Sequence, residues 1–401
     1  MPKSRAQSPQ SPFSTPLPSC HSFPQNLERI ISVLPRPWLE WFEIHAFPRW
    51  IPEDRFLEDL SFWHVRKVAF VRQSAALVTY RAGSFSNWMD RALTTKGHPG
   101  PLSLLAELAA DFYVVRQAPD PETHAWRGKH PGDPNPEESF RRMEAYRESE
   151  ENLPGVVSCE DIRWEDYDLV VCLDIPVPTR IARRTQRTLW AYISIEGGGP
   201  LVDLSLQRPV DGYHLYLNHQ FRRYRVRPAN RRHVVEFPFS FQSRKAWSDL
   251  FHHLNLNGAQ RKGIVIDRGS GSEIPKPRDP DVQVMGEAGG HMDLASLAAL
   301  YASKKYALRL DPRRRWGNWL VEVVQAGCLF LGRSDTLDHL SPMIPGLNMA
   351  DYHGASRKVA ELESNPDLYA TCRSLQGAIT EHVAFRRPLA DLTSKARDFF
   401  S

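Results

Sequence analysis

The sequence predicts an α/β protein with parallel sheets, and three features support this fold class. Leu169 to Leu173 (LVVCL) and Leu189 to Ile195 (LWAYISI) are apolar strand-like runs with a short helical segment between them. Lys305 to Gly332 repeats the order strand, helix, strand. Because parallel strands need a crossover connection, usually a helix, each unit indicates a parallel sheet. A chain of 401 residues with 41% hydrophobic content is long enough for two domains.

The N-terminal part is the less regular half. Residues 1–26 are rich in Ser, Pro and Gln and lack the apolar core of a signal peptide, which predicts a disordered tail before a first domain at 27–240. Three runs are strand candidates: Arg66 to Val71, Ala76 to Tyr80 and Phe112 to Val115. Gly83 to Asn87 is expected to open a helix. Pro119 to Pro136 contains five prolines and predicts a long loop, which holds His124 and His130.

The rest of the first domain is built around the Leu169 and Leu189 strands. Pro176 to Arg184 is predicted to form the helix between them. Glu196 to Gly199 follows the second strand, where a glycine run is either a place of close ligand approach or a simple turn. The pattern changes near Val234 to Phe239, which suggests a connecting segment.

A second domain is expected at 241–385. Its predicted elements are a helix at Ala246 to Leu254, strands at Gly263 to Asp267 and Val282 to Met285, and a helix at Asp293 to Ser303. Near the end, apolar residues at spacings of three and four predict an amphipathic helix: Leu368, Cys372, Leu375, Ile379 and Val383.

The segment from Lys305 to Gly332 carries the main functional signal. Ala307 to Leu310 is extended, and the loop after it holds Pro, Gly, Asn and three arginines. Trp319 to Ala326 is an apolar helix with one acid, Glu322, and it ends at Gly327 before a strand at Cys328 to Leu331. Strand ends and helix N-termini of a parallel sheet meet at one edge, where N–H groups attract phosphate. The segment therefore predicts a nucleotide site.

Five residues of this segment have the spacing of a known motif: Pro312, Gly317, Glu322, Ala326 and Gly327. In this spacing the chain resembles the retaining nucleotide-sugar glycosyltransferases of the family 1 and family 4 type, which have two facing Rossmann-like domains (the GT-B fold). The resemblance implies that fold for this chain, with a C-terminal segment at 386–401 that packs back on the first domain. It also implies that Glu322 accepts hydrogen bonds from both ribose hydroxyls, a task that suits a carboxylate with two acceptor oxygens.

The resemblance extends the expected site to neighbouring loops. Around the nucleotide it implies the residues before and at the helix start: Arg313, Arg315, Trp316, Gly317 and Asn318. Arg268, Gly269 and Ser270 follow the first strand of the second domain, where the family places a glycine and an arginine against the diphosphate. A guanidinium fork can hold two phosphate oxygens and neutralise charge on the leaving group.

The implied reaction is transfer of a sugar from a nucleoside-diphosphate sugar to a glycan, lipid-linked or protein acceptor. Arg268 would assist loss of the diphosphate, together with the helix N-terminus, so that neither a metal nor a further cofactor is expected. An inverting enzyme would need a base in the first domain. His64, His124 and His130 are candidates, of which we select His124. The family often has a second glutamate eight residues before Glu322, and here that position is Arg314, which leaves the donor sugar and the stereochemistry open.

Composition limits the other functional classes. Net charge is only +4, so no global basic excess points to nucleic acid. The five cysteines are scattered without a CxxC pair, which is typical of reduced, mostly buried thiols in a cytosolic protein. Since no run of 18 apolar residues occurs, we expect a cytoplasmic protein whose membrane contact, if any, is peripheral on the inner face.

Two alternatives remain open at this point. Arg180 to Arg187 and Arg222 to Arg232 are arginine-rich segments that would suit a polyanion-binding protein for nucleic acid or anionic lipid. They could equally hold a phosphorylated, lipid-linked acceptor or be a solvated surface. Arg314 in place of the family acid makes a catalytically silent homologue the other alternative.

Overall fold

A computed structural model describes residues 50–73, 108, 110–116, 156–173, 177–193, 202–203, 208–209, 212–218, 232–236, 251–267, 281–285, 294–310, 318–332, 344–349 and 351–401. In these ranges the chain forms two separate parallel sheets and a two-stranded antiparallel ribbon. The predicted α/β fold with two Rossmann-like parallel sheets is therefore confirmed.

The first sheet has seven parallel strands. They are β1 (Val68–Gln73), β2 (Asp111–Arg116), β3 (Val156–Ser158), β4 (Leu169–Leu173), β5 (Leu189–Ile193), β8 (Leu215–Asn218) and β9 (Val234–Glu236); β6 (Val202–Asp203) and β7 (Arg208–Pro209) form the ribbon. Their order across the sheet is β3-β2-β1-β4-β5-β8-β9. If the two ribbon strands are left out of the count, β8 and β9 become the sixth and seventh strands and the order is 3-2-1-4-5-6-7. This is the 3-2-1-4-5-6 order of a Rossmann sheet with one more strand at the edge.

The second sheet has four parallel strands in the described ranges. They are β10 (Ile264–Asp267), β11 (Val282–Met285), β12 (Tyr306–Arg309) and β13 (Leu329–Gly332), in the order β11-β10-β12-β13. Ile264, Val265 and Ile266 of β10 are buried, as are Tyr306, Ala307 and Leu308 of β12. Strands that are covered on both faces have continuous runs of apolar residues, which is why these strands could be predicted from the sequence.

Seven α-helices have defined bounds, and residues 251–253 are the described end of another, within the helix predicted at Ala246 to Leu254. The seven are α1 (Glu53–His64), α2 (Thr179–Arg184), α3 (Leu294–Ser303), α4 (Asn318–Gln325), α5 (Tyr352–Ser364), α6 (Pro366–Glu381) and α7 (Arg387–Phe400). A π-helical turn at His382–Arg386 joins α6 to α7. Helix α2 is shorter than the predicted Pro176 to Arg184 because Pro178 precedes its first helical residue.

The C-terminal helices contact the segment that leads into the first sheet. His382 Nε2 accepts a hydrogen bond from the Ile51 N–H at 2.9 Å, and its ring stacks on Trp50. Arg386, only 3% exposed, forms ion pairs with Glu53 and Glu381. Farther along, the Trp63 indole N–H donates to Thr393 Oγ1 at 2.9 Å. Residues more than 300 positions apart are thereby joined in one buried interface.

Several predicted elements fall outside the described residues, namely the strand at 76–80, the helix opening at 83, the proline-rich loop at 119–136, the glycine run at 197–199 and the N-terminal tail. The cysteine prediction is confirmed where it can be followed, because Cys159, Cys172, Cys328 and Cys372 are all unpaired thiols in buried positions.

Candidate functional site

The candidate site lies at the carboxyl ends of β10 and β12. The chain leaves β10 towards β11 on one side of the sheet and leaves β12 towards β13 on the other side. Between two such strands the outgoing connections diverge, and open α/β sheets bind ligands in the crevice formed there. This position is the topological switch point of the second sheet.

Two charged residues end these apolar strands at the switch point. Asp267 and Arg309 are partners in the parallel register, and Arg309 Nε lies 3.2 Å from Asp267 Oδ2. Their side chains are 27% and 16% exposed, so the pair is largely withdrawn from water but reachable from the sheet edge. It is a partly buried ion pair.

Helix α4 begins beside this edge, because it is the connection between β12 and β13. Asn318 is its first residue, and Glu322 lies one turn later with only 6% of its surface exposed. Leu320, Val321 and Val323 of the same helix are also buried. The helix that follows β12 therefore carries a buried carboxylate among apolar residues.

The end of α4 is fixed by Gly327. Its φ of +90° is left-handed; its N–H donates to the Val324 carbonyl at 2.9 Å, and the Cys328 N–H donates to the Val323 carbonyl at 2.9 Å. These two bonds form a Schellman motif. The sequence prediction that Gly327 ends the helix is confirmed.

Arg261 ties the C-terminal ends of α3 and α4 together. Its guanidinium donates to the Tyr301 carbonyl at 2.9 Å, to the Lys304 carbonyl at 3.0 Å and to the Ala326 carbonyl at 2.6 Å. Burial lowers the pKa of Arg261. A cation at helix C-termini satisfies carbonyls that have no helical partner and interacts well with the dipoles. Both helices are therefore anchored at the edge of the sheet opposite the switch point.

The pKa of Tyr301 on α3 is raised by burial and by the charges of both Glu322 and Asp267. Its ring is fully buried, and burial raises its pKa well above the ordinary value. The negative charge of Glu322 raises this pKa further, and that of Asp267 contributes as well. Two acids from different elements, Glu322 and Asp267, therefore raise the pKa of one buried phenol.

The structure reaches only part of the site expected from sequence. Glu322 is described in full, and Asn318 is described as the helix start without its side chain. The other expected residues lie outside the described ranges: His124, Arg268, Gly269, Ser270, Arg313, Arg315, Trp316 and Gly317. His130 also lies outside them, and His64 is the one candidate base within the described ranges. It is exposed at the last residue of α1, just ahead of the amino end of β1.

Sequence reasoning missed the Asp267–Arg309 pair. Asp267 was predicted to end the strand Gly263 to Asp267, and Arg309 was predicted to lie inside the strand Ala307 to Leu310. Their pairing depends on a register between residues 42 positions apart (309 minus 267). The usable signal was one charged residue in each of two strands that are otherwise apolar.

No protein-family model and no curated protein matches this chain. A comparison with solved structures finds low similarity over most of its length. A sucrose-phosphate synthase from Thermosynechococcus elongatus is 12% identical with a TM-score of 0.40, over 83% of this chain and 98% of that one. A UDP-GlcNAc 2-epimerase from Neisseria meningitidis bound to UDP-GlcNAc is 10% identical with a TM-score of 0.38, over 82% and 99%. The wall teichoic acid polymerase TagF is 8% identical with a TM-score of 0.32, over 92% and 98%.

Proposed function

We propose that this protein is a glycosyltransferase that takes a nucleoside-diphosphate sugar as donor. The observation that carries the proposal is Glu322, a 6% exposed carboxylate on the helix that follows switch-point strand β12. A buried carboxylate offers two strong acceptors in a low-dielectric setting, where hydrogen bonds to a pair of adjacent hydroxyls are strengthened. Ribose presents such a pair.

The reaction in this proposal breaks the bond between the anomeric carbon of the sugar and the diphosphate oxygen. The electron pair leaves with the diphosphate, while an acceptor oxygen forms the new glycosidic bond and loses its proton. Arg268 and the N–H groups at 317–319 would stabilise the leaving charge, so that no metal is required. If the outcome is inverting, His124 would take the acceptor proton.

In this proposal each of the two domains binds one substrate. We place the acceptor side in residues 27–240 and the donor side in 241–385, with a carbohydrate or lipid-linked acceptor between them. In the described part of the chain no helix is long and apolar enough to cross a membrane.

The substitution Glu322→Gln tests the ribose contact. It keeps one acceptor oxygen in a similar shape but removes the charge, so we expect the dissociation constant for the nucleoside diphosphate to rise about tenfold, equivalent to about 1.4 kcal/mol. Calorimetric titration measures the constant, and circular dichroism checks that the fold is retained.

Glu361→Gln is the matched control. Glu361 lies on α5 and pairs with Lys358 at the exposed surface, with Nζ 2.6 Å from Oε2. This variant should bind like the unmodified protein. Equal affinity of Glu322→Gln and the unmodified protein would contradict the ribose role.

A second candidate is polyanion binding without catalysis. Arg183, Arg184 and Arg187 are exposed at and after the end of α2, whereas Arg180 pairs with Glu160 at 2.6 Å. Exposed arginines of this kind bind phosphate backbones with a steep salt dependence. RNA binding that falls steeply between low and moderate salt, without any nucleotide-sugar turnover, would favour this candidate over the transferase.

A further inference from the structure

The Asp267–Arg309 pair lies at a position where open α/β sheets bind ligands, so its role need not be structural alone. It lies where the two central strands of the second sheet end, between connections that diverge to opposite sides. An arginine at the end of a switch-point strand is in a position to meet an anion that enters the crevice. Glu322, the carboxylate with the proposed ribose role, lies on helix α4, which follows the strand that Arg309 ends.

The chemistry of the two side chains suggests distinct tasks. An arginine has five N–H donors in a planar fork that matches two phosphate oxygens, and the contact with Asp267 is made at Nε. A carboxylate beside the guanidinium orients the fork, because the attraction between the two charges at 3.2 Å limits its rotation. The same carboxylate would repel phosphate, so it cannot itself be the ligand.

We propose that Arg309 is a diphosphate contact of the nucleotide site and that Asp267 is its positioning residue. This inference rests on the proposed function and adds to it a residue that the family motif does not supply. Ribose would be held by Glu322 and the diphosphate by Arg309, from adjacent elements of one sheet edge. The arrangement requires a ligand with both groups.

The test compares each diphosphate with its own nucleoside. The probes are UDP, GDP, ADP and CDP beside uridine, guanosine, adenosine and cytidine, titrated into the full-length protein. In Arg309→Gln we expect at least about a tenfold loss of affinity for the diphosphate that the unmodified protein binds, a typical loss for a charge-assisted hydrogen bond. Affinity for the nucleoside should change by less than about twofold, since it has no phosphate to lose.

Two further variants separate phosphate binding from a general charge effect. The double variant Arg309→Gln with Asp267→Asn removes both charges, so a loss that persists there cannot come from an unpaired Asp267. Lys305→Gln removes a cation at the opposite end of the same strand, where Lys305 Nζ lies 2.8 Å from Glu363 Oε1. This control should retain diphosphate affinity.

The outcomes are distinguishable. If the unmodified protein binds a diphosphate and Arg309→Gln binds it equally well, the inference is overturned while the proposed function stands. Equal losses for diphosphate and nucleoside would also overturn it, because they would indicate damage to the whole site. If the unmodified protein binds none of the diphosphates, both the proposed function and the inference fail.

Discussion

At the scale of single residues, the candidate site is made of polar groups that are buried or largely buried. Glu322 comes from one helix and Asp267 from a strand, and the charges of both raise the pKa of Tyr301 on a second helix. The sequence identifies Glu322 because it is the one acid in an apolar helix. It cannot identify Asp267 or Arg309, since these two residues become partners only through the strand register that brings them together.

His214 gives the stability of the first sheet a pH dependence. Its Nδ1 accepts a hydrogen bond from the Trp190 N–H at 3.0 Å, and burial lowers its pKa below 6.5, helped by the neighbouring His233. The unfolded chain therefore takes up a proton first as the pH falls. Stability that is present in full above pH 6.5 should be lost as the pH drops from 6.5 towards the lower pKa of the folded state.

Urea unfolding at a series of pH values measures this loss. In His214→Asn the side-chain oxygen can still accept the Trp190 N–H but does not titrate, so the decline below pH 6.5 should be smaller than in the unmodified protein. His252→Asn changes an exposed histidine and should leave the decline as it is. Parallel curves for His214→Asn and the unmodified protein would show that His214 is not the titrating group.

At the scale of elements, helix ends explain why α4 is held so firmly beside the sheet. The Schellman motif at Gly327 and the Arg261 contacts close the end of α4 away from the site. The sequence predicts this terminus because glycine is the residue that adopts a left-handed conformation without cost. It does not predict Arg261, which reaches the helix end from 65 residues earlier in the chain.

Gly327→Val should destabilise the protein strongly. An added Cβ would lie 2.9 Å from Arg373 Nη2 and 3.0 Å from Arg261 Nη2, at a φ of +90°. The backbone conformation alone costs a side chain about 1–2 kcal/mol, and β-branching and crowding add to it. Chemical unfolding measures the free energy.

Two glycine variants calibrate that result. Gly258 has a φ of +89° with nothing within 4 Å of an added Cβ, so Gly258→Ala should show the conformational cost alone. Gly377 lies inside α6 with open space around it, and Gly377→Ala should stabilise by about 0.5–1 kcal/mol. Equal stability of Gly327→Val and the unmodified protein would refute the role assigned to this helix end.

At the scale of the whole molecule, the sequence predicts the regular parts and misses the connections between them. The apolar strands β4, β10 and β13 were found within one residue at either end, because burial on both faces leaves a clear pattern. The resemblance implied that 386–401 packs back on the first domain, but it did not identify the residues in contact. In the interface of α7 with α1, Trp63 and Thr393 are ordinary residues of two amphipathic helices 330 positions apart. Asp59, fully buried in α1 yet within 3.6 Å of Arg397, belongs to the same interface.

The central claim is that the switch point of the second sheet binds the nucleotide of a sugar donor. The most direct measurement is a thermal-shift series on the unmodified protein with UDP, GDP, ADP, CMP and their sugar conjugates, with and without Mn²⁺ or Mg²⁺. At about 100 times its dissociation constant, a ligand that binds only the folded state adds about 2.7 kcal/mol of stability. We expect a stabilising shift for one nucleoside diphosphate that does not need the metal. If none of the nucleotides raises the melting temperature, with or without metal, the claim is contradicted.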